Sequence, residues 1–342
     1  MSVKGLLTIK DIAKMANVNH STVSRALNNH PYISTDTKER IFKIAQQYKY
    51  TPNTVARSLK NRNTQTLGLV LHTITNPFWS EFLECLEDVI YNKAQDFTLF
   101  FSGQKKDKES AYIDLLMKRK IDGAIITLMP TNEPELFVKS LERLKDKKFP
   151  FVLMFGDAGI ECNCVSFNHY KGQYMLTEHL IKMGHRNICY AYGSMTAIPN
   201  AEKVHGYKQA LMDNNIDFNE DLMFITDMKE VTKSVDKILN MNPRPTAVAV
   251  PDDNMAIFYW REMTRRGIRI PEDIALVGFY DIKYLTYLNL PITTVRIPVD
   301  VLSQNSVDLL LENVKNPDMK YKKIVIEPEL IVRESCGFKK VV

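Results

Sequence analysis

The longer part of this sequence alternates short apolar runs with helical patterns, and this alternation limits the possible folds more than any other feature. Seven apolar runs have the length of a β-strand, and they occupy residues 67–72, 97–102, 123–128, 151–155, 188–192, 247–250 and 274–279. Helical patterns separate them, for example at residues 78–94, 106–118 and 170–183. Such strand–helix–strand alternation predicts parallel sheets with helices on both faces.

About 275 residues carry this alternation, which is more than one such sheet usually needs, so we expect two lobes. Open α/β sheets bind ligands at the carboxyl ends of their strands, and two lobes would enclose a cleft there. The sequence has no Gly-x-Gly-x-x-Gly after the first strand, no phosphate loop, no Gly-x-Ser-x-Gly and no His-Glu-x-x-His. The pattern therefore favours a binding protein over an enzyme.

The charge of the chain is divided unevenly, although its total is only +5. Residues 1–66 contain eleven lysines and arginines and three acids, a net charge of +8, whereas the remainder contains 34 basic and 37 acidic residues. A small basic module joined to a slightly acidic body indicates a polyanionic partner. Because a basic surface can also be simple solubilising charge, the charge alone does not decide for nucleic acid.

The basic module begins with two short helical patterns in the spacing of a helix-turn-helix. Thr8 can cap the first helix together with Asp11, Asn17 suits a left-handed turn that ends it, and Asn19 can cap the second helix. A third helical pattern follows, and the three predict a small core. Its apolar positions are Ile9, Ile12, Ala13, Ala16, Val23, Ala26, Leu27, Ile41, Ile44, Ala45 and Tyr48.

The second helix leaves a polar outer face, and its short length suits presentation to a DNA groove. We expect Arg25, His20 and Ser21 to probe base edges. Thr22 and Ser24 would rather hold phosphates or share both tasks. A small helical bundle without a partner is the alternative, but the charge excess, the caps and the polar face together favour DNA.

Residues 50–66 combine a short helical pattern with a polar linker. Pro52 suits the start of a helix, and Val55, Ala56 and Leu59 give it one small apolar face. The segment is too short to fold unaided, so we predict a hinge helix that orders on DNA, paired across a dimer axis, with Leu59 wedged into the minor groove. With the second helix, the candidate DNA-binding residues therefore include Thr8, Asn53, Ala56, Leu59 and Lys60.

Cysteine usage and hydropathy indicate a cytoplasmic protein without a membrane span. Five cysteines in a chain of this length do not form a disulfide framework, the first residues are too short and polar a run for a secretion signal, and no run of about 18 apolar residues occurs. Cys162 and Cys164 lie near His169, but zinc ligands usually come in better-spaced pairs. We therefore expect reduced thiols, no metal and no cofactor.

The order of motifs along nearly the whole chain resembles the lac-repressor (LacI/GalR) family of bacterial transcription regulators. The matching stretches are "TIKDIAKMANVNHSTVSRALN", "PNTVARSLK", "TLGLVLHTITNPFW", "RKIDGAII", "EHLIKMGHRNI", "HGYKQAL", "RPTAVAV", "DNMA", "GIRIPEDIALVGF" and "PITTVRIP". The resemblance implies an N-terminal all-α helix-turn-helix DNA-binding domain and a two-lobed α/β core with a periplasmic-binding-protein-like fold, whose chain crosses between the lobes three times.

These implications set the expected domain boundaries. We expect a headpiece at residues 1–50, a hinge helix and linker at 51–66, and an effector-binding and dimerisation core at 67–342. Within the core, the expected first lobe comprises about residues 67–162 and 290–322, and the expected second lobe about residues 163–289 and 323–342.

The resemblance also implies which residues line the cleft. The family's aromatic effector contacts map onto Phe78 and Trp79, and Phe167 matches a pocket-lining position. Aromatic faces suit the apolar side of a sugar or a planar base. Core packing is the alternative role, above all for Phe78.

Several cleft positions depart from the family pattern. Lys203 stands where many relatives have an arginine, so that a flexible point charge replaces a guanidinium fork. Tyr280 stands where an acidic or amide residue is usual, with Asp281 next to it, and Phe155 replaces a commonly acidic residue. A neutral sugar fits the aromatic walls, whereas Lys203 leaves a phosphorylated sugar or small organic acid open. We favour a sugar or sugar derivative, and the expected contacts are Phe78, Trp79, Phe167, Lys203, Asp252, Tyr280 and Asp281.

We hypothesise a homodimeric transcription regulator, a repressor, that reads a near-palindromic operator in double-stranded DNA. An effector in the cleft would reorient the lobes and thereby the hinge segments, and the sign of this response and a protein co-effector stay open. The main rival is a solute-binding or sensor module whose head has lost DNA function, and a third alternative is an enzyme that uses the cleft. The missing secretion signal and the intact Arg25 and Leu59 count against the main rival.

Overall fold

The computed structural model describes residues 7–27, 29–48, 50, 64–103, 106–119, 121–127, 134–156, 159–193 and 198–337. The chain divides into two compact units, Met1–Thr64 and Gln65–Val342. The predicted hinge residues Asn53, Ala56, Leu59 and Lys60 lie outside the described residues.

The described part of the first unit contains the three predicted helices, α1 (Ile9–Met15), α2 (His20–Leu27) and α3 (Thr35–Gln47). They enclose a small core of buried side chains, namely Ile12, Ala13, Ala16, Val23, Ala26 and Ile41. Asn17 adopts the predicted left-handed conformation between α1 and α2, with φ +49°. Tyr48 is 47% exposed instead of buried, because α3 ends at the residue before it.

The second unit follows the predicted strand and helix alternation. Its strands are β1 (Thr66–Leu71), β2 (Asp96–Phe101), β3 (Gly123–Thr127), β4 (Phe151–Met154), β5 (Asn163–Phe167), β6 (Ile188–Tyr192), β7 (Met223–Ile225), β8 (Ala247–Ala249), β9 (Ala275–Val277), β10 (Thr294–Arg296), β11 (Lys323–Ile326) and β12 (Glu329–Ile331). Its α-helices are α4 (Pro77–Asn92), α5 (Lys106–Lys118), α6 (Pro134–Asp146), α7 (His169–Lys182), α8 (Ile198–Asp213), α9 (Val231–Asn240), α10 (Asp253–Arg265), α11 (Tyr284–Tyr287) and α12 (Val299–Lys315). Each of the seven predicted strands is confirmed.

Two parallel sheets form the cores of two lobes. The first sheet has the strand order β11-β5-β4-β3-β1-β2, and the second has the order β7-β6-β8-β9. The central strands β3 and β4 are buried along their whole length, as expected where helices cover both faces of a parallel sheet. β10 and β12 form a separate antiparallel pair. The predicted two-lobed α/β architecture is confirmed.

Two of the predicted crossings between the lobes are placed too early. β5 pairs with β4 in the first sheet, so the chain crosses after Phe167 and not near residue 163. β11 pairs with β5 in the first sheet as well, so the last crossing follows Ile326 and not residue 322. Neither strand has a clear apolar signal, because β5 begins with Asn163 and β11 alternates exposed and half-buried residues at the edge of the sheet.

The described residues contain no helix that is both long and apolar enough to cross a bilayer. The five cysteines form no disulfide among the described residues, and Cys162 and Cys164 are buried. Among the same residues, no three histidine, cysteine or acidic side chains converge as metal ligands.

Candidate functional site

A reciprocal cap holds the start of α1. The backbone N–H of Thr8 donates to Asp11 Oδ2 at 2.9 Å, and the Thr8 hydroxyl donates to the same oxygen at 2.6 Å. These hydrogen bonds lower the pKa of Asp11. The hydroxyl of Thr8, a predicted DNA contact, is therefore engaged with Asp11 at the start of the helix.

The polar face of α2 lies opposite its buried side. Val23 and Ala26 are fully buried in the core of the first unit. His20, Ser21 and Arg25 are exposed, whereas Thr22 and Ser24 are half-buried. The five predicted residues thus share one helix, and the three that we expect to probe bases are the exposed ones. Such a face can present donors and acceptors to the edges of base pairs.

The predicted cleft lies where the carboxyl ends of the two sheets meet. Phe155 directly follows β4, and Phe167 is the last residue of β5 in the first sheet. Asp252 and Tyr280 follow β8 and β9 of the second sheet. This is the edge at which open α/β sheets usually bind ligands.

Polar contacts join the two lobes at this edge. Asn76, just before α4, donates through Nδ2 to Asp252 Oδ2 at 3.2 Å. The backbone N–H of Lys283 donates to Glu81 Oε1 at 2.7 Å, and Lys283 Nζ donates to Glu84 Oε2 at 3.0 Å. Moving the lobes apart therefore requires the loss of three polar contacts.

Aromatic side chains of both lobes fill the space between the sheets. The Tyr280 ring lies 4.5 Å from the Phe78 ring at an interplanar angle of 32°, and 6.1 Å from the Phe167 ring. Trp79 packs edge-on against Phe155, with ring centroids 4.7 Å apart. Phe78, Phe155 and Phe167 are at most 4% exposed. The Tyr280 ring thus lies against Phe78, which belongs to the core as well as to the predicted effector contacts.

Lys203 is buried beside the same tyrosine. Its Nζ donates to the carbonyl oxygen of Pro251 at 2.9 Å and to the Tyr280 hydroxyl at 3.4 Å. The ammonium group also lies over the rings of Phe279 and Tyr280, at 3.7 and 4.4 Å from their centroids. Burial lowers the pKa of Lys203 to about 7, although the nearby Asp252 opposes this change.

Two consecutive carboxyl groups behave differently at the start of α10. Asp252 Oδ1 accepts from the Met255 N–H at 2.8 Å and so caps the helix, while its other oxygen faces the first lobe. Asp253 accepts from the Thr294 hydroxyl at 2.7 Å and from the Ile282 N–H at 3.1 Å. Burial raises both pKa values, that of Asp253 to about 8. Asp253 therefore stabilises the second lobe, whereas Asp252 faces the cleft.

Asp281 does not join the other predicted cleft residues. Its two oxygens form ion pairs with Arg296, at 2.7 Å, and with Arg333, at 2.6 Å. The backbone turns here through positive φ values, +102° at Tyr280 and +55° at Asp281, which non-glycine residues rarely adopt. The ion pairs hold this strained turn, so Asp281 has a structural role, and its expected contact with the effector stays a prediction.

Two histidines outside the predicted effector contacts pack against the aromatic cleft residues. His72 directly follows β1, and its ring lies 4.5 Å from Trp79. The ring of His169 lies 3.8 Å from Phe167, and its Nδ1 lies 3.1 Å from Glu202 Oε2. Burial lowers the pKa of both histidines to about 4, so both are neutral at neutral pH. Their positions at or just after strand ends are the signal that could have identified them.

Both units match known families. Residues 8–53 match the family described as bacterial regulatory proteins, lacI family, and residues 177–336 match the periplasmic binding protein-like domain. The HTH-type transcriptional repressor PurR of Aliivibrio salmonicida (strain LFI1238) is 32% identical over 335 residues, which cover 96% of this chain and 99% of the relative. PurR of Vibrio vulnificus (strain CMCP6) is 30% identical, with coverage of 96% and 98%.

Solved structures share the fold over nearly the whole chain. The lac repressor dimer bound to operator and the anti-inducer ONPF is 22% identical, with a TM-score of 0.85 and coverage of 97% of this chain and 99% of that one. The transcriptional regulator CelR in complex with cellobiose is 24% identical, with a TM-score of 0.71 and coverage of 96% and 99%.

Proposed function

The chain belongs to the lacI family of bacterial regulatory proteins, and from this premise we propose that its first unit reads an operator while its second unit receives an effector. It is a DNA-binding transcription regulator and not an enzyme. Its relatives are named repressors, and repression is the proposed mode of action. The observation that carries the proposal is α2, whose exposed His20, Ser21 and Arg25 lie opposite buried core residues.

On DNA, two chains would place one α2 each in successive half-sites of a near-palindromic operator. Arg25 supplies a donor fork for guanine, while the half-buried Thr22 and Ser24 suit phosphates. The headpiece of residues 1–50 and the hinge of residues 51–66 remain predictions, as do the minor-groove contacts Asn53, Ala56, Leu59 and Lys60. Thr8 also stays a prediction, because its hydroxyl donates to Asp11.

In the second unit, the effector would bind among Phe78, Trp79, Phe167, Lys203 and Asp252. We favour a sugar or sugar derivative, because aromatic faces suit a flat apolar sugar face and Lys203 already donates to a hydroxyl. The Tyr280 ring must then leave its place against Phe78. The related structure of CelR holds cellobiose, which makes this sugar the first probe to test.

The effector signal would pass through the relative orientation of the lobes. A ligand that displaces Tyr280 changes the surroundings of the Asn76–Asp252 hydrogen bond and the contacts of Lys283, which join the lobes. Whichever lobe arrangement the ligand prefers becomes more populated, and this decides whether DNA is released or bound. A protein co-effector would act on the same equilibrium.

The test compares binding to specific and random DNA. Genomic footprinting supplies an operator, and fluorescence anisotropy then measures wild type, Arg25→Ala and the matched control Arg40→Ala, which changes an exposed arginine on α3. Loss of one bidentate base contact costs about 1–3 kcal/mol of discrimination, so Arg25→Ala should lower the preference for operator at least fivefold. Arg40→Ala should keep the preference. Equal preferences in all three proteins would exclude base reading by α2.

A further inference from the structure

The imidazole of His72 lies at the edge of the first sheet where the effector is proposed to bind. His72 directly follows β1, and its ring lies 4.5 Å from the Trp79 ring at an interplanar angle of 81°. Trp79 in turn packs on Phe155, which follows β4. The imidazole is thus held edge-on within the aromatic cluster at this edge, although His72 is not one of the predicted effector contacts.

Of the two ring nitrogens, one has a partner in the described part of the chain. Nδ1 of His72 lies 3.2 Å from the hydroxyl of Thr127, the last residue of β3. Nε2 forms no hydrogen bond with a described residue, and it is absent from the side-chain atoms that are both buried and unpaired. Although His72 is only 6% exposed, this nitrogen therefore keeps contact with solvent. Nε2 is an accessible hydrogen-bonding atom at the edge where ligands usually bind.

The imidazole carries no charge near neutral pH. Burial lowers the pKa of His72 to about 4, and no charged side chain of a described residue contributes to this change. The pKa of His169 differs in this respect, since Glu202 raises it and Lys203 lowers it. A carboxylate or phosphate beside His72 Nε2 would therefore meet neither a cation nor an imidazolium, whereas an uncharged polar group needs no counter-charge.

The hydroxyl of Thr127 leaves both tautomers of His72 available. It lies 3.2 Å from the carbonyl oxygen of Val70 as well as from His72 Nδ1, and its single proton serves only one of these two acceptors. Nε2 is an acceptor when Nδ1 carries the ring proton and a donor when it does not. A hydroxyl group both donates and accepts, so it matches Nε2 in either tautomer, whereas an anionic oxygen matches only one.

We propose that His72 is a specificity-determining residue of the effector site, whose Nε2 forms a hydrogen bond with a hydroxyl group of an uncharged effector. This inference rests on the proposed function, because it requires an effector between the lobes. The apolar face of the ligand lies on Trp79, and a hydroxyl at its rim faces the imidazole. The phosphorylated sugar and the small organic acid that the sequence leaves open are thereby disfavoured at this end of the cleft.

Two amide variants separate the roles of the two nitrogens. An asparagine amide reaches about as far as Nδ1, and a glutamine amide reaches about as far as Nε2. His72→Asn therefore keeps a partner for Thr127, whereas His72→Gln keeps a polar atom for the ligand. Calorimetry on the full chain measures cellobiose, glucose, glucose 6-phosphate and gluconate. A neutral sugar that binds wild type should bind at least about fivefold more weakly to His72→Asn, and within about threefold of wild type to His72→Gln.

Controls separate this inference from the proposed function. His205→Asn changes an exposed histidine on α8 and should leave the affinity unchanged. If His72→Asn does not fold in urea titrations, His72→Phe replaces it, since this ring keeps the contact with Trp79 and has no polar atom. A neutral sugar that binds wild type and the His72 variants equally, or tighter binding of the two anions than of the neutral sugars, overturns the inference alone. Failure of all four probes to bind rejects the sugar effector, and the role of His72 falls with it.

Discussion

The two ends of the first sheet differ, although the same strands build both. At the carboxyl ends of β4 and β5, Phe155 and Phe167 are buried in an aromatic cluster with Tyr280 of the other lobe. At the amino ends of the same strands, Phe149 and Asn163 border a cavity of about 590 Å³. Parallel sheets usually bind ligands at their carboxyl ends. Among the described residues, aromatic side chains of both lobes pack together at that edge, whereas the cavity lies at the opposite one.

The two edges also differ in how they treat charge. At the filled edge, Lys203 is 1% exposed, and burial lowers its pKa to about 7. At the open edge, Lys148 and Lys320 are exposed to solvent and keep their hydration. The charge of Lys203 therefore depends on pH near neutrality, whereas the hydrogen bond to Asp318 raises the pKa of Lys148.

The largest expected effect contrasts one aromatic ring from each edge. Phe78→Ala removes a ring that is 3% exposed and packed on three others, and should lower the free energy of unfolding by about 3–5 kcal/mol. Phe149→Ala removes a half-buried ring beside open space, and should cost about 1 kcal/mol or less. Urea unfolding of both variants measures the difference. Equal losses would show that the open edge is packed as tightly as the filled one.

The second prediction uses the pH dependence of stability. The pKa of Lys203 is about 7 in the folded protein and near 10.5 when unfolded. Between these two pH values, the unfolded state binds one more proton at Lys203 than the folded state does. The contribution of Lys203 to the free energy of unfolding therefore rises with pH and is lost as pH falls through about 7. Lys203→Met removes it. Between pH 7 and pH 9, the free energy of unfolding of wild type should therefore gain about 2 kcal/mol relative to the variant. If urea unfolding gives parallel pH profiles of stability for wild type and Lys203→Met, the charged lysine is in contact with water and the prediction is wrong.

The third prediction sharpens the interpretation of Tyr280 as an internal occupant of the cleft. Tyr280→Gly removes the ring and also relieves the strain at φ +102°. 4-Methylphenol reproduces the lost side chain. The Tyr280→Gly variant should therefore bind it at least ten times more tightly than the wild-type protein does. Calorimetric titration measures this. The control Tyr287→Ala changes a tyrosine that is 72% exposed and should gain no affinity. An equal response of wild type and Tyr280→Gly would mean that the ring does not fill a binding site.

The smallest expected effect concerns an ion pair between the lobes. Lys283→Ala removes the exposed pair with Glu84 and leaves the backbone hydrogen bond to Glu81 in place. Such pairs contribute about 0.2–1 kcal/mol, and salt screens them. The change in the free energy of unfolding should therefore disappear in about 1 M NaCl, where the screening length is about 3 Å. Lys148→Ala, which breaks an exposed pair at the open edge, is the control. A loss that persists in salt would show that Lys283 acts by packing.

Much of the fold could be predicted because its signals are local. The caps and apolar positions of α1 to α3 lie within a few residues of each other, and the buried strands β3 and β4 are continuous apolar runs. The sequence pattern assigns β5 and β11 to the second lobe for two different reasons: β5 is an inner strand that begins with the polar Asn163, and β11 is an edge strand with few buried residues. The aromatic cleft residues could be selected by resemblance, but the ion pairs of Asp281 with Arg296 and Arg333 join residues too distant for any local pattern.

The sequence by itself determined the three-helix unit, the alternation that builds two parallel sheets and the polar face of α2. Periodicity and capping depend on neighbouring residues, so the linear order already contains them. Only the tertiary structure decided that Tyr280 lies against Phe78, that Lys203 is buried beside it, and that a cavity remains at the amino ends of β4, β5 and β11. These outcomes depend on how distant segments share volume, and neither shape nor free space can be read from the order of residues.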